Sequence, residues 1–104
     1  MKKIVFAKNA EEDIKQIFQF NYALNKFFAK KNQKRIFEEV KVLINFPESA
    51  PIEPLLEHKT ETFRSLVIVD GRYKVIYVVK EEQVLIYVVL YCRKNPLKMG
   101  SNII

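Results

Sequence analysis

Cysteine, histidine and glycine are scarce in this chain. A single Cys, Cys92, among 104 residues excludes an internal disulfide and suits a reducing compartment. One His and one Cys cannot supply a zinc site of soft ligands, and no such spacing occurs. With only two Gly, no phosphate-binding loop or dinucleotide fingerprint is present. Four Pro and two Gly are also too few for a disordered or linker-rich chain. No apolar run approaches the roughly 18–20 residues of a membrane span. Met1-Lys2-Lys3 is followed by only a short apolar run, so no signal peptide is expected. Acid is the remaining shortage: 12 Asp and Glu stand against 18 Lys and Arg, for a net charge of +6. Residues 83–104 hold no acid at all. This balance suits an anionic partner such as nucleic acid, the ribosome or an acidic protein. The expectation is a cytoplasmic protein with one domain over 1–104 and one modest core.

What is present in quantity is β-forming sequence. Residues 62–92 contain three runs rich in Val, Ile, Leu and Tyr. Asp70-Gly71 separates the first two, and both residues accept the positive φ of a type I′ turn. Glu81-Glu82 is the polar break before the third. The spacing predicts a three-stranded antiparallel meander over 62–69, 72–80 and 83–92. Two-residue turns set Val67 opposite Lys74, Ser65 opposite Ile76, Val78 opposite Leu85 and Ile76 opposite Tyr87. One face then carries Leu66, Ile68, Tyr73, Val75, Tyr77, Val79, Val84, Ile86, Val88 and Leu90. It is apolar and needs helices over it. The other face carries Ser65, Val67, Arg72, Lys74, Ile76, Val78, Tyr87, Val89, Tyr91 and Arg93. Two helices cover only one face, so this mixed face is expected to leave an apolar patch for a partner or for self-association.

Upstream, residues 2–7 read as a first strand. Asn9 is a candidate N-cap, with Glu11, Glu12 and Asp13 filling the first helical turn. Apolar residues at helical spacing run to about Leu24, and a second helical pattern covers about 25–46. Tightly joined, the two form a hairpin. Lys30, Lys31, Lys34, Arg35 and Lys41 are a solvated face or a nucleic-acid patch. Pro47, Pro51 and Pro54 hold residues 47–61 as a long connection, anchored by Leu55 and Leu56. His58 in that connection is a candidate general base. Cys92, late in a strand, reads as a packed thiol.

Several stretches resemble the RelE/ParE toxin superfamily. KIVFAKNAEEDIKQI resembles its first strand and helix, and FEEVKVLINFPE its second helix with the Phe-Pro exit. FRSLV, GRYKVIYVV, EEQVLIYVV and the closing CRKNP follow in the same order. The resemblance implies an α+β fold of order β-α-α-β-β-β, with a two-helix hairpin on the antiparallel meander, similar to microbial ribonucleases. It also implies the toxin of a type II toxin–antitoxin pair, silenced by a cognate acidic antitoxin; from the motifs, no cofactor and no metal are expected. RelE-like members cut messenger RNA on the ribosome; ParE-like members poison DNA gyrase. A nuclease would use Arg64, Lys74 and Arg93 as cations, with Tyr91 or His58 as base. Leu66 replaces the second basic residue of strand two, and no Tyr or His follows Pro96. The two-residue turn also sends Arg64 to the face opposite Lys74. The ParE-like reading therefore leads: a toxin that acts by binding, through Lys74, Tyr87, Tyr91, Arg93, Lys94 and Lys98.

Overall fold

The computed structural model describes residues 2–92. Strand β1 (Lys3–Phe6) leads into helix α1 (Lys8–Leu24). A single residue, Asn25, joins α1 to α2 (Lys26–Val40), and a short α3 (Val42–Asn45) follows. A one-turn 3-10 helix at Pro54–Leu56 precedes β2 (Arg64–Ile68), β3 (Tyr73–Val79) and β4 (Gln83–Tyr91). The sheet order is β1-β4-β3-β2. The meander is antiparallel, while β1 runs parallel to β4, so the four-stranded sheet is mixed. Parallel neighbours need a crossover, and the helical hairpin lies within it.

Asn25 explains the sharp helical joint. Its backbone is extended, and its side-chain Oδ1 accepts the Phe28 N–H at 3.0 Å, capping α2. The start of α1 differs from expectation. Helix begins at Lys8 with Ala7 as its cap residue and no side-chain cap bond, so Asn9 lies inside the helix. Asp13 leaves the helix-start role too. Its carboxylate accepts the Val89 N–H at 2.9 Å, beyond Phe6, where β4 has lost its β1 neighbour.

Both two-residue turns form. Ser65 faces Ile76 and Val67 faces Lys74 across the first hairpin, and Val78 faces Leu85 across the second. The second hairpin departs from the simple ladder after Tyr77. A β-bulge shifts the register, and Ile76 faces Val88 rather than Tyr87. One extra residue reverses every side chain beyond it. Val89 and Tyr91 therefore join the helix-covered core, whereas Val88 and Leu90 pass to the opposite face. These four positions correct the alternation expected from the sequence.

The helix-covered core holds Ile14, Ile17, Ile36, Val40 and Leu43 against Tyr73, Val75, Tyr77, Val84 and Ile86. The second face is not left open. Residues after Pro47 strap across it, pairing with β2 through Ser65 N–H to Pro51 O at 3.0 Å and Glu53 N–H to Phe63 O at 2.8 Å. Leu56 and Phe63 are buried there with Ile76, Val78 and Val88. The chain's own connection thus covers much of the apolar patch expected on this face, leaving Val67 exposed. Burying this second cluster contributes about 1.5–3 kcal/mol per large side chain. Cys92 is exposed, not a packed thiol.

Candidate functional site

Lys74 points to the strapped face. Its Nζ lies 3.0 Å from Glu53 Oε1. Glu53 is 1% exposed, and its other oxygen accepts the Leu55 N–H at 3.1 Å. Burial pushes the Glu53 carboxyl up, but the Leu55 N–H, Lys74 and Ser65 together hold it below the ordinary carboxylate value. The Lys74 charge is therefore spent within the fold, on a carboxylate that the strap delivers.

Tyr87 shares that face. Its ring meets Phe63 edge-on at 5.3 Å, and its hydroxyl donates to Glu61 Oε1 at 3.3 Å. Glu61 is also bonded to the Lys80 ammonium, which lowers its carboxyl and raises the lysine. Burial and the Glu61 charge raise the Tyr87 phenol. A phenol pushed up and facing a carboxylate is a poor base at neutral pH.

Arg64 and Tyr91 occupy the other face. Arg64 pairs across the ladder with Tyr77, and Lys74 with Val67. Tyr77 and Lys74 stand three apart on β3, so their partners face opposite ways. Arg64 Nη1 donates to Ala50 O at 2.8 Å, and its guanidinium reaches Glu48 at 3.7 Å. The Tyr91 ring meets that of Tyr73 at 5.3 Å, tilted by 57°, and burial raises its phenol. Tyr91 and Arg64 share a face but sit opposite Tyr73 and Tyr77, about 13 Å apart along β3. His58 is exposed on the strap. The structure thus brings Lys74 and Tyr87 to one face, Arg64 and Tyr91 to the other, and gathers no three of them around one point. Arg93, Lys94 and Lys98 lie outside the described residues. Among the described residues no group of three His, Cys, Asp or Glu is placed to hold a metal ion.

The structure adds residues that sequence reasoning passed over. Glu39 Oε1 accepts the Val69 N–H at 2.8 Å, and Arg35 bridges Glu39 and Asp70 at 2.8 and 2.9 Å. This network holds the β2–β3 turn, where Val69, Asp70 and Gly71 all have positive φ. A β-branched residue at φ +53° is strained and needs such an anchor. Asn32, 3% exposed, donates to the Tyr73 hydroxyl at 2.8 Å and accepts from Arg72 at 3.3 Å. Arg72 also lies over the Phe28 ring at 5.1 Å. Arg35 and Glu39 are an i, i+4 pair and readable as such. Their reach to the turn is tertiary and leaves no sequence signal.

A two-layer α+β domain, with a helical hairpin on a mixed sheet, defines the fold. The family model for the ParE toxin of the type II toxin–antitoxin system, parDE, matches residues 4–96, and the chain belongs to that family. A solved structure of the chromosomal ParDE toxin–antitoxin system from P. aeruginosa is similar in fold. It has a TM-score of 0.73 at 20% identity, covering 88% of this chain and 96% of that one. Among curated proteins none matches significantly.

Proposed function

We propose that this toxin arrests growth by binding a macromolecular target, with DNA gyrase as the leading candidate, and that a cognate acidic antitoxin silences it. The family match over residues 4–96 supports the toxin class. One observation favours binding over RNA cleavage: Arg64 and Lys74 project from opposite faces of the sheet, each engaged by the chain itself. Phosphodiester cleavage needs cations converging on one charged phosphorane, with a base at the ribose hydroxyl. Lys74 is paired to a buried carboxylate, and Tyr87 and Tyr91 are phenols held in the protonated form. A net charge of +6 without a converged set of cations suits a binder.

Induction in cells without the antitoxin tests this. The expected result is growth arrest with accumulated double-strand DNA breaks and intact messenger RNA. Codon-phased messenger cleavage without DNA breaks would transfer the protein to the RelE-like ribonucleases. No growth defect at all would leave a degenerate toxin that only binds its partner.

A further inference from the structure

Helix α2 turns one side to the fold and the other to water. Ala29, Asn32, Ile36 and Val40 are its buried residues. Lys26, Lys30 and Lys34 repeat every four residues and climb the opposite, outer side, with Lys31 beside them. All four lysines are exposed, and none forms an ion pair among the described residues. Elsewhere the chain pairs its lysines: Lys41 with Glu38, Lys74 with Glu53 and Lys80 with Glu61. Residues 14–37 contain no acid and six bases, so no carboxylate nearby in the sequence offsets the ridge.

The start of α2 adds to this field. A helix N-terminus carries partial positive charge and is stabilised by Asp or Glu in its first turn. Helix α2 has no acid there and begins at Lys26. Like charges at i, i+4 also weaken a helix. Both features cost stability and both raise the positive potential on one surface, which suits a polyanion.

Phe27 stands among these lysines. It is 79% exposed and lies three and four residues before Lys30 and Lys31, so it neighbours both on the helix surface. A ring in water flanked by ammonium groups fits a single nucleic-acid strand, with phosphates on the cations and a base on the ring. Successive lysines of the ridge are about 6 Å apart along the axis, comparable with neighbouring phosphates of an extended strand. A duplex would match the lysines and leave the ring in water. An apolar protein surface would cover the ring but leave desolvated ammonium groups without counter-charge. The ridge is also held in place. Arg72 packs over Phe28 and bonds Asn32, which bonds Tyr73 in the sheet.

We propose that the outer lysine ridge of α2, with Phe27, binds single-stranded nucleic acid: phosphates along Lys26, Lys30 and Lys34, and one base stacked on Phe27. This goes beyond the function proposed above and does not require gyrase to be the target.

The test is fluorescence anisotropy of labelled dT20 with the purified toxin between about 50 and 200 mM salt. A duplex of the same length and polyglutamate serve as rival ligands. Three toxin forms are compared with wild type: Lys30→Gln with Lys34→Gln, Phe27→Leu, and Lys3→Gln as a control. All four positions are exposed, and circular dichroism confirms folding. Lys3 lies beside Gln83, at the opposite end of the sheet from Arg72. Three lysine contacts to a single strand give a slope of log affinity against log salt of about −2, and the double lysine variant should lose about 1.4 of it. Phe27→Leu should weaken dT20 binding by about tenfold and leave the slope unchanged. The control should stay within about twofold of wild type. Absent dT20 binding at the lowest salt, or a slope unmoved by the lysine variant, overturns the proposal. So does duplex or polyglutamate bound as tightly as dT20 with no effect of Phe27→Leu, since charge alone would then explain the binding. None of these outcomes touches the toxin reading, because growth arrest and DNA breakage are measured on the wild type without these probes.

Discussion

The Glu39 carboxylate accepts the Val69 N–H at 2.8 Å, tying helix α2 to a turn residue held at φ +53°. Val69 is buried, so no water replaces that acceptor. Glu39→Ala is expected to cost about 2–3 kcal/mol, because the N–H loses its partner and the strained turn its anchor. Glu39→Gln keeps a carbonyl acceptor and should cost about 1 kcal/mol. Urea unfolding of the two variants measures the difference. Equal stability of both would show that the turn holds itself.

Lys74 and Glu53 form the second tether. Removing only the lysine leaves a nearly buried carboxylate without its counter-charge. Lys74→Met should therefore destabilise by about 3 kcal/mol. Adding Glu53→Gln to it should recover a good part of that loss, since the uncompensated charge goes. A double variant as unstable as the sum of its parts would deny the coupling.

The same pair gives an acid limb to stability. Glu53 and Glu61 are both held below the ordinary carboxylate value of 4.5 in the folded chain. A lowered folded value means that the unfolded chain binds more protons, so stability rises with pH through this range. The contribution is present above the unfolded carboxylate value and is lost as pH falls through the folded one. Thermal midpoints should therefore drop as pH is lowered from 4.5, and Lys74→Met should make the decline begin at higher pH. Midpoints unchanged between pH 5 and pH 2, where about one or more protons should be taken up on unfolding, would contradict this.

Tyr91 separates binding from cleavage. Its hydroxyl forms no hydrogen bond among the described residues, and its ring packs on Tyr73. Tyr91→Phe should leave stability within about 1 kcal/mol and growth arrest intact. Loss of toxicity in a folded Tyr91→Phe protein would return the phenol to the site, and mapping messenger ends after induction would tell a lost base from a lost binding contact.

The strands, both turns and most of the pairing were readable because Asp-Gly and the Val/Ile/Tyr runs act locally. The helical joint was readable at Asn25 for the same reason. The bulge in β4 was not. QVLIYVVLY alternates too little to mark one residue as extra, since every side chain on both faces is suited to burial. The strap was visible as a long proline-rich segment, yet its burial of Glu53 and Phe63 depends on a face whose register the bulge alters. Lys74 was legible as a residue of that face. Its neutralisation was not, because Glu53 lies 21 residues away in a segment without periodicity. Phe28 and Phe37 fall on the apolar stripe of the second helical pattern, with Ile36, Val40 and Leu43, yet the structure leaves them 40% and 37% exposed and buries Asn32, bonded to Tyr73, instead.

The central claim, a toxin that binds rather than cuts, is tested most directly with purified components. The protein is added in parallel to a gyrase reaction on supercoiled plasmid and to ribosomes carrying a messenger. The account predicts gyrase-dependent accumulation of cleaved plasmid, with the messenger left whole. A messenger cut on the ribosome, with gyrase unaffected, would contradict it.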